Sequence, residues 1–220
     1  MGITQQIGAS SIIKPGVCTS STRPASPYEG QMIYETDTDL TYIYGGSAWQ
    51  QVSGGTAVGN SGLVFVKSQA VGSTAVGSVV VTGAFSSTYD NYFITWQGGT
   101  MSGDTALKLQ LGSTVTGYYG AFIYTPNYAG TTVSTVGDNN ATSFTYSGGG
   151  NASQAQANFY LSGPNTATRT YINAGQISYG TVFGNYTGIE LGTTQHTAFT
   201  FIPFSGTMAN GTVSVYGYRK

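Results

Sequence analysis

The sequence predicts an all-β protein, in which an antiparallel, jelly-roll-like β-sandwich follows an extended N-terminal arm and a small β-meander. Three observations support this fold class. Ten or so short runs of β-branched and aromatic residues follow one another at regular spacing from residue 63 onward. Nearly every gap between these runs contains Gly, Asn, Asp or Pro. No segment offers ten residues of helical periodicity with capping residues.

The first 52 residues divide into an arm and a meander. Residues 1–28 contain Pro15, Pro24 and Pro27 and no apolar periodicity, so we expect an extended arm that binds across neighbouring subunits. Residues 29–52 alternate strand-like runs with turn residues, in the order GQMIYE, TDTD, LTYIYG, GGS and AWQQV. So small a sheet needs support, and we expect Trp49 to be its large apolar anchor.

Residues 53–62, with the sequence SGGTAVGNSG, have the composition of a flexible linker. Residues 63–220 then form the predicted sandwich. The run ALKLQL shows the strand period most clearly, because Leu107, Leu109 and Leu111 share one face while Lys108 and Gln110 share the other.

Composition excludes several classes of function. Only 7% of the 220 residues are charged and the net charge is −1, so no cationic surface is expected to bind nucleic acid. The N-terminus lacks the basic and apolar regions of a signal peptide. No apolar run approaches the ~20 residues of a membrane span, so we expect no membrane insertion. Cys18 is the single cysteine, which excludes an intramolecular disulfide and a cysteine-based zinc site.

Residues that could support catalysis are few. His196 is the one histidine, and no nucleophile elbow surrounds a serine, so we interpret His196 as a structural residue in a strand of alternating polarity. The sandwich carries four acidic residues, each where a loop or strand end would place it: Asp90, Asp104, Asp138 and Glu190. We therefore expect no enzymatic activity and no cofactor.

An acidic turn and a tyrosine-rich loop leave alternatives open. Glu35, Asp37 and Asp39 alternate in YETDTDL, and turn formation is favoured over calcium binding because the glycine and distal glutamate of an EF-hand are missing. We expect no metal site, although cation binding at this turn stays open.

The tyrosines of GYYGAFIYTPNYAG either pack across the sheet or contact a sugar or protein; they are Tyr118, Tyr119, Tyr124 and Tyr128.

The segment KPGVCTSSTRPASPYEGQMIYETDTDLTYIYGGSAWQQV resembles a module that recurs in structural proteins of tailed bacteriophages. The resemblance covers about 40 of the 220 residues. It rests on the order Lys-Pro, Thr-Arg-Pro, Gly-Gln-Met-Ile-Tyr-Glu-Thr-Asp-Thr, Gly-Ser and Ala-Trp. The residues after it are similar in composition to β-sandwiches of phage head decorations and tail tips. The resemblance implies that residues of this module anchor the protein to the virion: Arg23, Pro24, Tyr28, Gln31, Tyr34 and Trp49.

The resemblance implies a non-enzymatic virion structural protein, made in the host cytoplasm and placed on the capsid or tail surface. The preferred interpretation is a capsid decoration or stabilising protein, of the cement or head-fibre kind. A minor tail or tail-tip adhesin that binds host surface carbohydrate is the alternative, and it would present an exposed aromatic patch on the sandwich. A polysaccharide depolymerase is a third class, which would need an acidic groove.

The expected partners are other virion proteins, such as major capsid or tail proteins, and further copies of the chain. Scarce charge gives little repulsion between copies, and many strands risk edge-to-edge pairing unless neighbours cover the edges. Phage decorations and fibres commonly assemble about threefold axes, so we expect a homotrimer rather than a twofold dimer. Host surface glycans are partners under the adhesin alternative.

Overall fold

A computed structural model describes residues 15–53 and 62–220 of the chain. The first fourteen residues of the predicted arm, and residues 54–61 of the predicted linker, lie outside the described residues. Two compact units are distinguished, Met1–Asn60 and Ser61–Lys220. The described residues form strands and turns, and no helix among them is long and apolar enough to cross a membrane.

The first unit contains a four-stranded sheet in the order β1-β2-β3-β4. Its strands are β1 (Gly16–Cys18), β2 (Met32–Glu35), β3 (Leu40–Tyr44) and β4 (Trp49–Ser53). Strands β2, β3 and β4 are antiparallel and fall on the runs that the sequence predicted as a meander. The turn between β2 and β3 ends at Asp39, whose φ of 55° is a left-handed conformation that Asp tolerates.

Strand β1 lies within the predicted arm. It pairs in parallel with β2, and Val17 is opposite Tyr34. The described part of residues 1–28 is therefore joined to the small sheet and is not a separate arm. Three residues are too few to show a period, and parallel pairing across a long loop leaves no local sequence signal.

The second unit is an antiparallel β-sandwich, as the sequence predicted. Its thirteen strands are β5 (Leu63–Ala70), β6 (Val79–Val81), β7 (Asn91–Met101), β8 (Thr105–Leu111), β9 (Tyr118–Thr125), β10 (Ser134–Ala141), β11 (Phe144–Gly150), β12 (Ala155–Ser162), β13 (Thr170–Tyr179), β14 (Val182–Glu190), β15 (Phe199–Pro203), β16 (Met208–Ala209) and β17 (Thr212–Tyr218).

Two layers make up the sandwich. Pairing runs β5-β17-β7-β12-β13-β14-β9-β10 in the larger layer, which we call the large sheet. In the smaller layer it runs β6-β15-β8-β11. The two are hydrogen-bonded to each other where Gly148–Gly150 of β11 pair with Ala155–Ala157 of β12.

The core lies between these layers. Leu107, Leu109 and Leu111 are fully buried, while the alternate residues Lys108 and Gln110 are partly exposed, as the period of β8 predicted. From the facing layer, the Trp96 ring lies 6.3 Å from that of Phe201.

A glycine makes room for the largest core residue. A Cβ on Gly99 would overlap the Trp96 ring, so the close approach of this strand requires glycine. The indole N–H of Trp96 donates to the carbonyl of Asn210 at 3.1 Å, which satisfies its one polar atom.

Candidate functional site: an aromatic and amide face on the sandwich

A row of aromatic side chains crosses the outer side of the large sheet. Tyr216 of β17 pairs with Phe65 of β5 on one side and with Phe93 of β7 on the other. Phe93 in turn pairs with Tyr160 of β12. Directly paired residues share one face of an antiparallel sheet, so the four rings lie side by side. Their centroids are 5.7, 6.3 and 4.9 Å apart along the row.

Solvent reaches this row because the neighbours in sequence take the inward positions. Ile94, Leu161 and Val215 are buried, and the rings beside them point outward. Phe65 is 58% exposed and Tyr160 is 48% exposed. Isolated exposed aromatics are common, but four in contact across adjacent strands form a contiguous patch of the kind that marks an interaction site.

Three clefts on the sandwich share lining residues. The aromatic cleft has a volume of about 520 Å³ and is lined by Leu63, Phe65, Phe93, Thr95, Gln97, Thr212, Ser214 and Tyr216. The glycine cleft, of about 400 Å³, shares Gln97 with it and includes five glycines in its wall. The amide cleft, of about 450 Å³, shares Gln156 and Ser178 with the glycine cleft. The shared residues make the three clefts a continuous track.

Tyrosines and glycines shape the glycine cleft. The hydroxyl of Tyr128 donates to the carbonyl of Gly180 at 2.7 Å, and its ring lies 5.7 Å from that of Phe183, so an exposed side chain is held in place. Burial raises the pKa of Tyr179 to about 12. Gly149 and Gly150 also line this cleft, and a Cβ on Gly149 would lie 3.0 Å from the Tyr179 ring.

Hydrogen-bonding groups along the track are amides and hydroxyls. Gln97 and Gln156 are exposed, and within residues 15–53 and 62–220 their side chains make no hydrogen bond. Each primary amide offers two donors and one acceptor oxygen to a ligand. The amide cleft adds Gln176, whose φ of 56° accompanies a register shift between β13 and β14.

No charged side chain is present among the described residues that line the three clefts. The track therefore has no cation to pair with a phosphate, sulfate or carboxylate, and no carboxylate to ligate a cation. Its chemistry is that of stacking surfaces and neutral hydrogen bonds.

The four tyrosines of the predicted cluster differ in role: some pack within the sandwich, and one lines a cleft where a ligand could bind. Tyr118 is buried and its hydroxyl accepts the Leu111 N–H at 2.8 Å, and burial raises its pKa. Tyr124 stacks on Phe122 at 4.9 Å, and Tyr119 is half-buried. Tyr128 alone of the four lines the glycine cleft. The row of Phe65, Phe93, Tyr160 and Tyr216 was not predicted, because only the strand register brings the four rings together.

In the N-terminal unit, Arg23 is central to one side of the small sheet. Its guanidinium pairs with the carboxylate of Glu35 and lies over the Tyr42 ring, 4.4 Å from the centroid. Thr38 donates to the second Glu35 oxygen at 2.9 Å. The hydrogen bond from Arg23 holds the pKa of Glu35 below its usual range. These contacts tie the loop before β2 to the sheet, so Arg23 has a structural role inside the unit.

The other predicted anchoring residues are spread over the same unit. Tyr28 is 70% exposed, and its N–H donates to the side-chain oxygen of Gln31 at 3.3 Å. Tyr34 donates its hydroxyl to Asp39 at 2.7 Å. Pro24 is half-buried. Trp49 is half-buried as well, with its ring edge-on to Tyr44 at 5.4 Å, so the fully buried apolar residue of this sheet is Ile33 and not Trp49.

The opposite side of the small sheet carries exposed apolar side chains. Val17 pairs with Tyr34, and Met32 pairs with Ile43, so these four side chains share one side, which we call the open side. Val17 is 70% exposed and Met32 is 39% exposed. A unit this small gains from covering such a surface.

Acidic groups and the histidine are held by neighbours. The Asp37 carboxylate accepts both the N–H and the hydroxyl of Ser20, at 2.9 and 2.6 Å, which lowers its pKa. No three Asp, Glu, His or Cys side chains converge on a cation position within the described ranges. The sequence predicted a strand at His196, and this prediction was wrong. His196 lies in the segment before β15, outside any strand.

His196 and Glu190 form a buried pair. The imidazole Nε2 is 3.7 Å from the carboxylate Oε2, and neither atom has a hydrogen-bond partner in the described parts of the chain. The other oxygen of Glu190 accepts the Gly192 N–H at 2.6 Å. Burial lowers the pKa of His196, against the opposing effect of the Glu190 charge. Both groups lie outside the three clefts.

Comparisons with protein-family models, with curated proteins and with solved structures find no match to this chain. The geometry of the two surfaces, the open side of the small sheet and the track on the sandwich, therefore carries the functional argument.

Proposed function

We propose that the chain is a non-enzymatic structural protein of a tailed-bacteriophage virion. Its N-terminal unit attaches to neighbouring virion proteins, and its sandwich is displayed on the particle surface. A capsid decoration or stabilising protein is the preferred form of this proposal.

One observation carries the proposal: a separate small unit has an exposed apolar side. Val17 and Met32 are exposed there, while Ile33, Glu35 and Arg23 fill the other side with internal contacts. A sheet of four short strands has little stability of its own, so a surface that the described residues leave uncovered gains stability when a partner covers it.

The resemblance at residues 14–52 supports the same assignment, because its described residues are those of the small sheet. The scarcity of charge in the whole chain, 7%, also fits a protein that works inside a permanent assembly.

The proposal is tested on purified particles. An antibody raised against the sandwich should label them in immunogold electron microscopy, and the chain should co-sediment with them in a density gradient. Particles from the producing host that carry no label and no chain would contradict the virion assignment.

Attachment is tested with a matched pair of exposed valines in three-residue strands. Val17→Asp places a charge on the open side, whereas Val80→Asp places one on β6 of the sandwich, where Val80 is 54% exposed. The Val17 variant should be lost from particles and the Val80 variant should be retained, because a buried, unpaired carboxylate opposes docking. Equal incorporation of both variants would show that the open side is not the attachment surface.

The exposed aromatic row favours a second candidate, a tail-tip adhesin that binds host surface carbohydrate. The two candidates share the attachment unit and differ in whether the outer side of the sandwich has a ligand. A glycan array probed with the purified full chain separates them, since a pure decoration protein binds no glycan.

A further inference from the structure

We infer that the three connected clefts on the outer side of the sandwich bind an uncharged polysaccharide, with the aromatic row stacking on its sugar rings and the free amides bonding its hydroxyls. This inference rests on the second candidate function and names its ligand class and its binding residues.

The aromatic row suits the flat face of a sugar ring. A pyranose ring has one face of C–H groups, which packs on an aromatic surface, and an edge of hydroxyls. Phe65, Tyr216, Phe93 and Tyr160 occupy four adjacent strands, whose backbones span about 14 Å at a spacing of ~4.8 Å per strand. A single sugar covers about one such spacing, and the row therefore fits an oligosaccharide segment.

Free amides provide the polar half of the recognition. Gln97 lies where the aromatic cleft meets the glycine cleft, and Gln156 lies where the glycine cleft meets the amide cleft. Neither side chain is engaged within the described chain, so a ligand meets amide donors and acceptors at both junctions. Vicinal hydroxyls of a sugar match this pairing of a donor beside an acceptor.

The absence of charge along the lining residues decides which polysaccharide fits. The charge-assisted hydrogen bonds that Lys or Arg donate to the anionic groups of an acidic glycan are missing here, because neither residue type lines the described clefts. A neutral chain needs no ionic contact here, and its hydroxyls can bond to the amides, serines and backbone groups that line the clefts.

A second copy of this chain is the competing occupant. Docking another sheet over the track would bury the amides of Gln97 and Gln156, and each unsatisfied amide opposes burial. A polysaccharide avoids this cost because its hydroxyls bond to both atoms of the amide. The mixed lining of rings and free amides therefore favours the sugar over the copy.

The test is affinity gel electrophoresis of the purified full chain in gels that contain dextran, mannan, galactan or hydroxyethyl cellulose, with polygalacturonate as the acidic comparator. At least one neutral polymer should retard the protein, and polygalacturonate should not. Phe65→Ser and Gln156→Ala should each weaken retardation about fivefold to tenfold, as expected for one lost stacking or hydrogen-bonding contact.

Matched controls separate binding from folding. Phe204→Ser removes a phenylalanine of equal exposure, 59% against 58% for Phe65, from outside the three clefts. Gln110→Ala removes a glutamine from β8 in the other layer. Both controls should bind as the unaltered chain does. Equal loss in the controls, or no weakening in either track variant, would overturn the assignment of the site.

The remaining outcomes distinguish failure of this inference from failure of the adhesin candidate and of the virion proposal. Retardation by polygalacturonate alone would overturn the neutral-ligand inference and leave the adhesin candidate standing. A different outcome is that no polymer retards the protein, while analytical ultracentrifugation shows self-association that Phe65→Ser abolishes. That result would overturn both the neutral-ligand inference and the adhesin candidate, and it would assign the face to a second copy. None of these results bears on the virion proposal, which is tested on particles.

Discussion

Stability of the N-terminal unit should depend more on Ile33 than on Trp49. Ile33 is 1% exposed on β2, and truncating a buried isoleucine to alanine costs about 2–5 kcal/mol of unfolding free energy. We expect about 2–3 kcal/mol here, because a thin sheet relaxes around a cavity more readily than a deep core does. That loss is comparable to the whole stability of so small a unit, so Ile33→Ala should unfold it.

Trp49→Ala should have a smaller effect. The indole is half-buried, and its clearest contact is the edge-on pairing with Tyr44 at 5.4 Å. Truncating a fully buried tryptophan costs about 3–5 kcal/mol, and we expect about half of that here, about 1.5–2.5 kcal/mol, because solvent reaches the indole and fills the space that its removal leaves.

Pulse proteolysis in a urea series, with fragments identified by mass spectrometry, measures both variants. Cleavage within residues 15–53 reports the N-terminal unit, and the sandwich serves as an internal standard. Met32→Ala is the control, because Met32 is 39% exposed and its truncation should change the midpoint little. A larger shift for Trp49→Ala or Met32→Ala than for Ile33→Ala would refute the assignment of the buried side.

Three further predictions concern the loop before β2, the buried histidine and the oligomeric state. Arg23→Ala should release the loop before β2 and increase proteolysis of residues 19–30, whereas the exposed Arg169→Ala should not. The pKa of His196 is lowered in the folded chain, so the free energy of unfolding should fall as pH drops below about 6.5 toward the folded pKa. His196→Gln should reduce that loss between pH 7.5 and 5. An unchanged slope of unfolding free energy against pH in the variant would contradict this prediction. Light scattering should give about three times the 22.9 kDa chain mass; twice that mass would indicate a dimer.

Strand positions were predictable because they depend on local pattern. The period of two in ALKLQL assigned Leu107, Leu109 and Leu111 to the core, and Asp39 and Gly46 marked the turns of the small sheet. Strand β1 escaped prediction, since its partner β2 lies across a loop of thirteen residues (19 to 31) and parallel pairing leaves no local signal.

The candidate site was only partly predictable. The outward position of Phe93 can be inferred from its buried neighbours Tyr92 and Ile94, but its contact with Tyr216 joins residues far apart in sequence. The register between distant strands is set by tertiary structure, so it cannot be predicted from a single sequence. Sequence reasoning therefore drew attention to the local cluster that contains Tyr128 and missed the row assembled by pairing.

The most direct test of the central proposal is a cryo-electron microscopy map of the whole virion at side-chain resolution. We expect density for this chain in which a neighbouring virion protein covers the open side of the small sheet, at Val17 and Met32, while the rings of Phe65, Phe93, Tyr160 and Tyr216 face solvent. A map in which the open side is solvent-exposed and the aromatic row is packed against the particle would contradict it.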